Sequence, residues 1–193
     1  MKVTKLVGPE LSEAIDSLAH LRMTVFRDWP YLYDGDVAFE RAYLEHYRYS
    51  PEAIVVAAQV GDWLVGAATA TPLGEHADEF AQAFDGTDVD IDHTFYCGES
   101  VLLPSYRGLG IGHQFFDLRE AHARSLGYRH MCFCAVIRPE DHPLRPSGYT
   151  QLDAFWEKRG YARLPGAVAQ FAWKDVDVEA TTDKPLQFWM RTL

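Results

Sequence analysis

At 193 residues, with 48% hydrophobic and 24% charged residues, the chain has the composition of a soluble globular protein, neither disordered nor membrane-embedded. Its length suits a single domain over residues 1–193. The formal net charge of -10 lacks the basic footprint that phosphate backbones require, so nucleic acid is not an expected partner. No stretch approaches the length of a membrane span, and no apolar leader follows Lys2 and Lys5, which points to a cytoplasmic protein.

In chain order, Lys2 to Val7 alternates like a short strand, and Gly8-Pro9 opens a helix carrying Leu11, Ile15, Leu18, Leu21 and Val25 at helical spacing. An irregular aromatic loop, Phe26 to Asp36, leads to a second helix with Phe39, Tyr43 and Tyr47 on one stripe. Ile54–Val60 and Trp63–Thr71 are β-prone runs separated by Gly61-Asp62, a spacing for a tight hairpin. The acidic stretch Gly74 to His93, with Phe80 and Phe84 one turn apart, reads as a short solvated helix. Phe95–Leu103 reads as a strand ended by Pro104. A helix over His113–Leu126 follows, buried along Phe115, Leu118, His122 and Leu126 and closed by Gly127. Then come a strand over Tyr128–Ile137, a short helix over Leu152–Arg159 stopped by Gly160, and a strand over Val168–Trp173. Phe188 and Trp189 are expected to cover the sheet or a homodimer interface. Cys97, Cys132 and Cys134 have no CxxC spacing and read as buried thiols, and no metal is expected.

The chemistry concentrates in Arg107-Gly108-Leu109-Gly110-Ile111-Gly112, between a strand and a helix. A glycine turn there exposes main-chain N–H groups, and the positive end of the helix dipole points at the same spot, which makes an anion site. Glycine is required because a Cβ would hold phosphates off the backbone. The dinucleotide fingerprint fails, since it would need glycine at His113 or Phe115, and the lysine of a P-loop is absent.

Arg107, Gly110 and Gly112 match the Arg/Gln-x-x-Gly-x-Gly/Ala pattern of the pyrophosphate loop of GNAT acyltransferases, and Phe155-Trp156-Glu157-Lys158-Arg159-Gly160-Tyr161 is similar to that family's FYEKLGF segment. The chain therefore resembles a GNAT acyltransferase over Phe95 to Trp173. The resemblance implies an α/β (α+β) fold with a mixed, mostly antiparallel central sheet splayed between its fourth and fifth strands. It also implies acetyl-coenzyme A as co-substrate, held by Val101, Leu102, Leu103, the turn Arg107, Gly108, Leu109, Gly110, Ile111 and Gly112, and by His113 and Trp156. The implied reaction is transfer of a short acyl group to the amine of a small molecule. A coenzyme A binding module without turnover is the rival reading.

Glu99, on the strand entering the turn, is the expected general base, with His93 as alternative. The family often places an acidic tyrosine where this chain has Trp156, whose indole cannot donate a proton at useful pH. That leaves Tyr149, Tyr161 or solvent to protonate the thiolate, with Tyr149 preferred. Trp29, Tyr31, Tyr33 and Asp34 lie on the loop where the family builds one wall of the acceptor site. Arg138 and Arg145, in a proline-rich segment longer than the family's usual link, offer sites for an acidic acceptor or a phosphate.

Overall fold

A computed structural model describes all residues, 1–193. Its strands are β1 (Lys2–Leu6), β2 (Ile54–Val60), β3 (Trp63–Pro72), β4 (Thr94–Tyr96), β5 (Ser100–Leu102), β6 (His130–Val136), β7 (Ala162–Lys174) and β8 (Thr181–Thr192). The helices are α1 (Pro9–Phe26), α2 (Val37–Tyr49), α3 (Ala77–Phe84), α4 (Ile111–Ser125) and α5 (Asp153–Lys158). One 8-stranded sheet runs β1-β2-β3-β4-β6-β8-β7, with β5 beside β3. Only β4 and β6 pair parallel, so the sheet is mixed and mostly antiparallel.

The expected strand over Phe95–Leu103 is two strands. Tyr96 pairs with Thr71 and Ser100 with Ala68, so four steps along one chain oppose three along the other: one extra residue makes a bulge at Cys97–Glu99. Within the bulge, Cys97 N–H still donates to Cys132 O of β6 at 2.8 Å, whereas Gly98 N–H donates to Thr69 O of β3 at 3.2 Å. The chain thus releases β6 and stays with β3. From there β6 continues with β8, and a cleft opens between β5 and the second half of β6. Gly98 is required at the pivot, since a Cβ would stand 2.3 Å from the Tyr47 hydroxyl oxygen and 2.8 Å from Thr69 Oγ1.

Helices cover both faces. On one, α1 and α2 bury Leu11, Leu18, Leu44 and Tyr47 against Val55, Ala57 and Ala67. On the other, α4 buries Ile111, Phe115 and Phe116 against Val56, Ala68 and Met131. Each large apolar side chain so buried contributes about 1.5–3 kcal/mol. Asp36 caps α2 by accepting from Phe39 N–H at 2.9 Å.

Several helical faces are rotated from those the sequence suggests. In α2 the inward residues are Glu40, Leu44 and Tyr47, while Phe39 is 62% exposed. In α4 the buried stripe is Ile111, Phe115, Phe116, Arg119, Glu120 and Ala123, and Leu126 is exposed. Arg22 of α1 likewise sits one turn beyond Leu18 on the buried face. The cause is common: a charged residue with an internal partner takes a core position, which an apolar-periodicity count cannot register. α3 is solvated only on its polar side, with Phe80 and Phe84 buried against Phe188 and Ala169.

The strand β8 escapes sequence reading. It carries Asp183, Lys184 and Pro185, yet lies between β6 and β7 with Phe188 and Trp189 buried, so these two build the sheet itself instead of covering it. Pro185 is tolerated where β6 ends: it lacks a donor, but its carbonyl accepts from Ile137 N–H at 2.8 Å. No helix is long and apolar enough to cross a membrane.

Candidate active site

The cleft left by the splay is the mouth of a cavity of about 890 Å³ that runs from the glycine turn to the loop between α1 and α2. At the turn, Gly108 and Gly110 take φ of +77° and +79°, in the left-handed region. A Cβ on either would meet nothing, so glycine is there for backbone conformation and open approach. The N–H groups of Gly108 to His113 find no acceptor in the protein, the first bonded amide of the helix being Gln114 N–H to Gly110 O. Consecutive free amides at the start of a 15-residue helix form a concave anion site. Arg107 stands beside it, its Nε donating to Leu102 O at 3.2 Å. His113 lines the rim against Phe155. Leu109 does not line the cavity and is 60% exposed.

Register decides which strand residues address the cleft. Glu99 O accepts from Thr69 N–H and Leu103 N–H donates to Val65 O, so Glu99, Val101 and Leu103 turn their main-chain groups to β3. By antiparallel alternation, Ser100 and Leu102 present theirs to the open side. Of the three strand residues expected to hold the co-substrate, Leu102 is the one that faces it. Val101 is fully buried in the core and Leu103 packs behind the strand.

Glu99 lines the cavity and is 7% exposed. Its Oε2 is fully engaged, by Arg22 Nη1 at 2.6 Å and by the Tyr43 hydroxyl at 3.0 Å, whereas Oε1 has no protein partner. Behind it runs a hydroxyl chain: Thr69 donates to Tyr47 at 2.9 Å, and Tyr47 meets Tyr43 at 2.8 Å, so Tyr43 can donate onward to Glu99. Burial, then the Glu99 charge, holds the Tyr43 hydroxyl well above the usual phenol range. Arg22 also pairs through Nε with Glu40, which is fully buried and leaves Oε1 without a partner. Its guanidinium lies 4.3 Å from the Tyr43 ring centroid.

Arg119, fully buried on α4, has no carboxylate partner. It donates to Thr69 O at 3.1 Å, Glu99 O at 3.0 Å, Ser100 Oγ at 2.8 Å and Phe115 O at 3.2 Å, which fastens the bulge to α4. Arg22, Glu40, Tyr43, Tyr47 and Arg119 are not among the site residues that the sequence suggests. Their signal was a charged or hydroxyl residue at core spacing among apolar ones.

The end of the cavity away from the glycine turn is roofed by aromatics. Trp29 meets His142 at 5.1 Å and Tyr149 edge-on at 5.9 Å between centroids, so the α1–α2 loop touches the segment following β6. The Trp29 indole N–H has no acceptor. Tyr31 also lines the cavity, but Tyr33 and Asp34 do not. Asp34 is tied to Lys174 at 3.0 Å and Arg27 at 2.9 Å, and the Lys174 hydrogen bond holds its carboxyl below the usual range. Tyr33 instead bridges to Asp175, away from the cavity, its ring lying over Gly35. Only the first half of the loop, Trp29 to Tyr31, faces the cavity.

Arg138 is committed to structure: it pairs with Asp175 and donates to Pro30 O at 2.8 Å and Tyr31 O at 2.5 Å, anchoring the loop to the end of β6. Arg145 lines the cavity with one bond, to Glu140 O. Tyr149 lines it as well, its hydroxyl raised above the usual range by burial and by Asp153. Tyr161 lies outside, 2% exposed, donating to Glu120 at 3.2 Å. Trp156 lines the cavity and packs on Phe133 and Trp189. His93 pairs with Asp90 outside the cavity. Cys97 and Cys134 line it too, but burial pushes their thiols up to about 11 and about 12, so neither is a nucleophile near neutrality.

Known proteins share this fold. The chain is similar in fold to an aminoglycoside 6'-N-acetyltransferase complexed with coenzyme A, at 21% identity and TM-score 0.63, covering 100% of this chain and 97% of that one. It is also similar to a ribosomal-protein-alanine N-acetyltransferase from Brucella melitensis, at 13% identity and TM-score 0.64, with both chains covered in full, 100% and 100%. An acetyltransferase from Salmonella typhimurium with its cofactor acetyl-CoA aligns at 13% identity and TM-score 0.58, covering 100% and 95%. No curated protein is a significant sequence match. The family model described as acetyltransferase (GNAT) family matches residues 16–161. Because that span is well over half of the chain, the protein belongs to the acetyltransferase (GNAT) family.

Proposed function

We propose that the protein transfers a short acyl group, most simply acetyl, from acyl-coenzyme A to the amine of a small molecule by direct attack. The observation that carries this is a single cavity with free amides of Gly108 to His113 at one end and the unpartnered Oε1 of Glu99 further in. Acyl-coenzyme A would supply an activated thioester and a thiol leaving group. The amides and Arg107 would hold its pyrophosphate, and the cleft-facing main chain of Leu102 its pantetheine arm. Glu99 Oε1 would take the acceptor's proton, directly or through one water, and the hold of Arg22 and Tyr43 on Oε2 supports that reading. Tyr149, whose side chain lines the cavity, would protonate the departing thiolate. A thiol of pKa near 8.5 leaves readily enough that solvent serves if Tyr149 does not reach it.

Fold likeness does not choose the acceptor, since the similar structures include an enzyme of aminoglycosides and one of a ribosomal protein. The contact of Trp29 with His142 and Tyr149 favours a small molecule, because it roofs the route an extended peptide would need. The test is thiol release from acetyl-coenzyme A across a panel of small amines and N-terminal peptides. Turnover only with peptides would reverse the choice, and none with any amine would leave a coenzyme A binding protein.

A further inference from the structure

Glu40 is costly to bury and the reaction does not touch it. It is fully buried on α2, outside the cavity, with one oxygen on Arg22 Nε and the other on nothing. An ion pair kept only for stability gains little from such burial, since apolar side chains of similar volume hold a core as well. Arg22 is shared, however: its Nη1 holds Glu99 Oε2 at 2.6 Å while its Nε holds Glu40. Two carboxylates on one guanidinium leave one negative charge in excess on this face of the sheet.

We propose that Glu40 is a positioning residue that makes the cavity select a cationic amine: by dividing Arg22 with Glu99, it leaves Glu99 the charge to draw in an ammonium ion and the basicity to take its proton. The inference rests on the placing of Glu99 at the acceptor site. With Arg22 to itself, Glu99 would be a neutralised carboxylate and a poor base. With Glu40 on the same guanidinium, Arg22 is shared between two carboxylates and a positive charge is wanted, which the acceptor brings.

Of the cations that line the cavity, Arg138 is paired with Asp175 and Arg163 with Asp153, while Arg107 and Arg145 stand towards Tyr149 and the glycine turn, and none of the four bonds the Glu99 carboxylate. Burial raises Tyr31 from the loop, Tyr33 beside Glu40, and Tyr43 and Tyr47 from α2, so all stay neutral. Cys97 in the bulge and Cys134 on β6 stay protonated for the same reason. Arg119 stands on the α4 side and bonds the carbonyl of Glu99, not its carboxylate. Trp29, Tyr31 and Tyr149 give the same pocket aromatic walls, on which a cation with an apolar body is well received.

The experiment measures binding of benzylammonium and of its uncharged counterpart, benzyl alcohol, to the full chain with coenzyme A present, by calorimetry at neutral pH. Wild type should prefer benzylammonium by about tenfold or more near neutrality, as a pairing charge in a partly buried site implies. Glu40→Gln should reduce that preference to about twofold, since Arg22 then faces the Glu99 carboxylate alone. Glu40→Asp, which keeps the charge, should restore most of the preference. Equal affinities in wild type overturn the proposal, with no variant needed should Glu40→Gln fail to fold. So does a preference that survives in folded Glu40→Gln. Turnover of Glu99→Gln is read separately: an active Glu99→Gln defeats the base role, even if the charge preference stands.

Discussion

The two ends of the cavity are built from different materials. The phosphate end is main chain: amides freed by glycines and aligned by one helix, within six consecutive residues from Gly108 to His113. The acceptor end is side chain. Glu99, Arg22, Glu40 and Tyr43 come from three separate elements, and its roof joins Trp29 to a segment more than a hundred residues later. A main-chain site needs a local conformation and little else. A side-chain site needs the whole fold, and can be retuned by any one residue in it.

That contrast predicts unequal responses to substitution. The largest effect is expected at the turn: Gly110→Val places a β-branched side chain at φ +79°, costs about 1–2 kcal/mol of backbone strain, and blocks the approach to the amides. Coenzyme A affinity by calorimetry should fall on the order of 100-fold or more in a protein that still folds. Unchanged affinity would move the co-substrate elsewhere.

At the other end, Glu99→Gln should lower turnover on the order of 10²-fold while leaving coenzyme A affinity intact, which separates the two ends directly. Wild-type rates across pH would remove Glu99 from the chemistry. A smaller change is expected of the roof: Trp29→Ala should raise KM for the amine about fivefold, with kcat less affected, because it removes one aromatic wall. A peptide acceptor gaining activity in that variant would show the roof to be the size filter.

The smallest effects distinguish two tyrosines. Tyr149→Phe should reduce turnover by about threefold to tenfold with an unchanged thermal midpoint, consistent with a modest share for the acid. Tyr161→Phe should keep turnover and lose about 1 kcal/mol of stability, since its hydroxyl bonds Glu120 in the core. The reverse pattern would exchange their roles.

The sequence by itself determined what depends on neighbours in the chain. The hairpin at Gly61-Asp62, the strand, glycine turn and helix around Arg107 to Gly112, and the short helix stopped by Gly160 were all legible. Each is fixed by φ restrictions, by free amides or by a stop residue, and these act over a few residues. Tertiary structure decided the rest. The bulge at Cys97–Glu99 exists because two neighbouring strands compete for one chain, and its register turns Leu102 to the cleft and Leu103 away. Arg22, Glu40 and Arg119 are core residues only because partners from distant elements satisfy them. β8 is a strand because β6 and β7 flank it, whatever Asp183, Lys184 and Pro185 prefer alone. Pairing between residues far apart in sequence leaves no periodicity behind, so the acceptor end could be read only once the chain was folded.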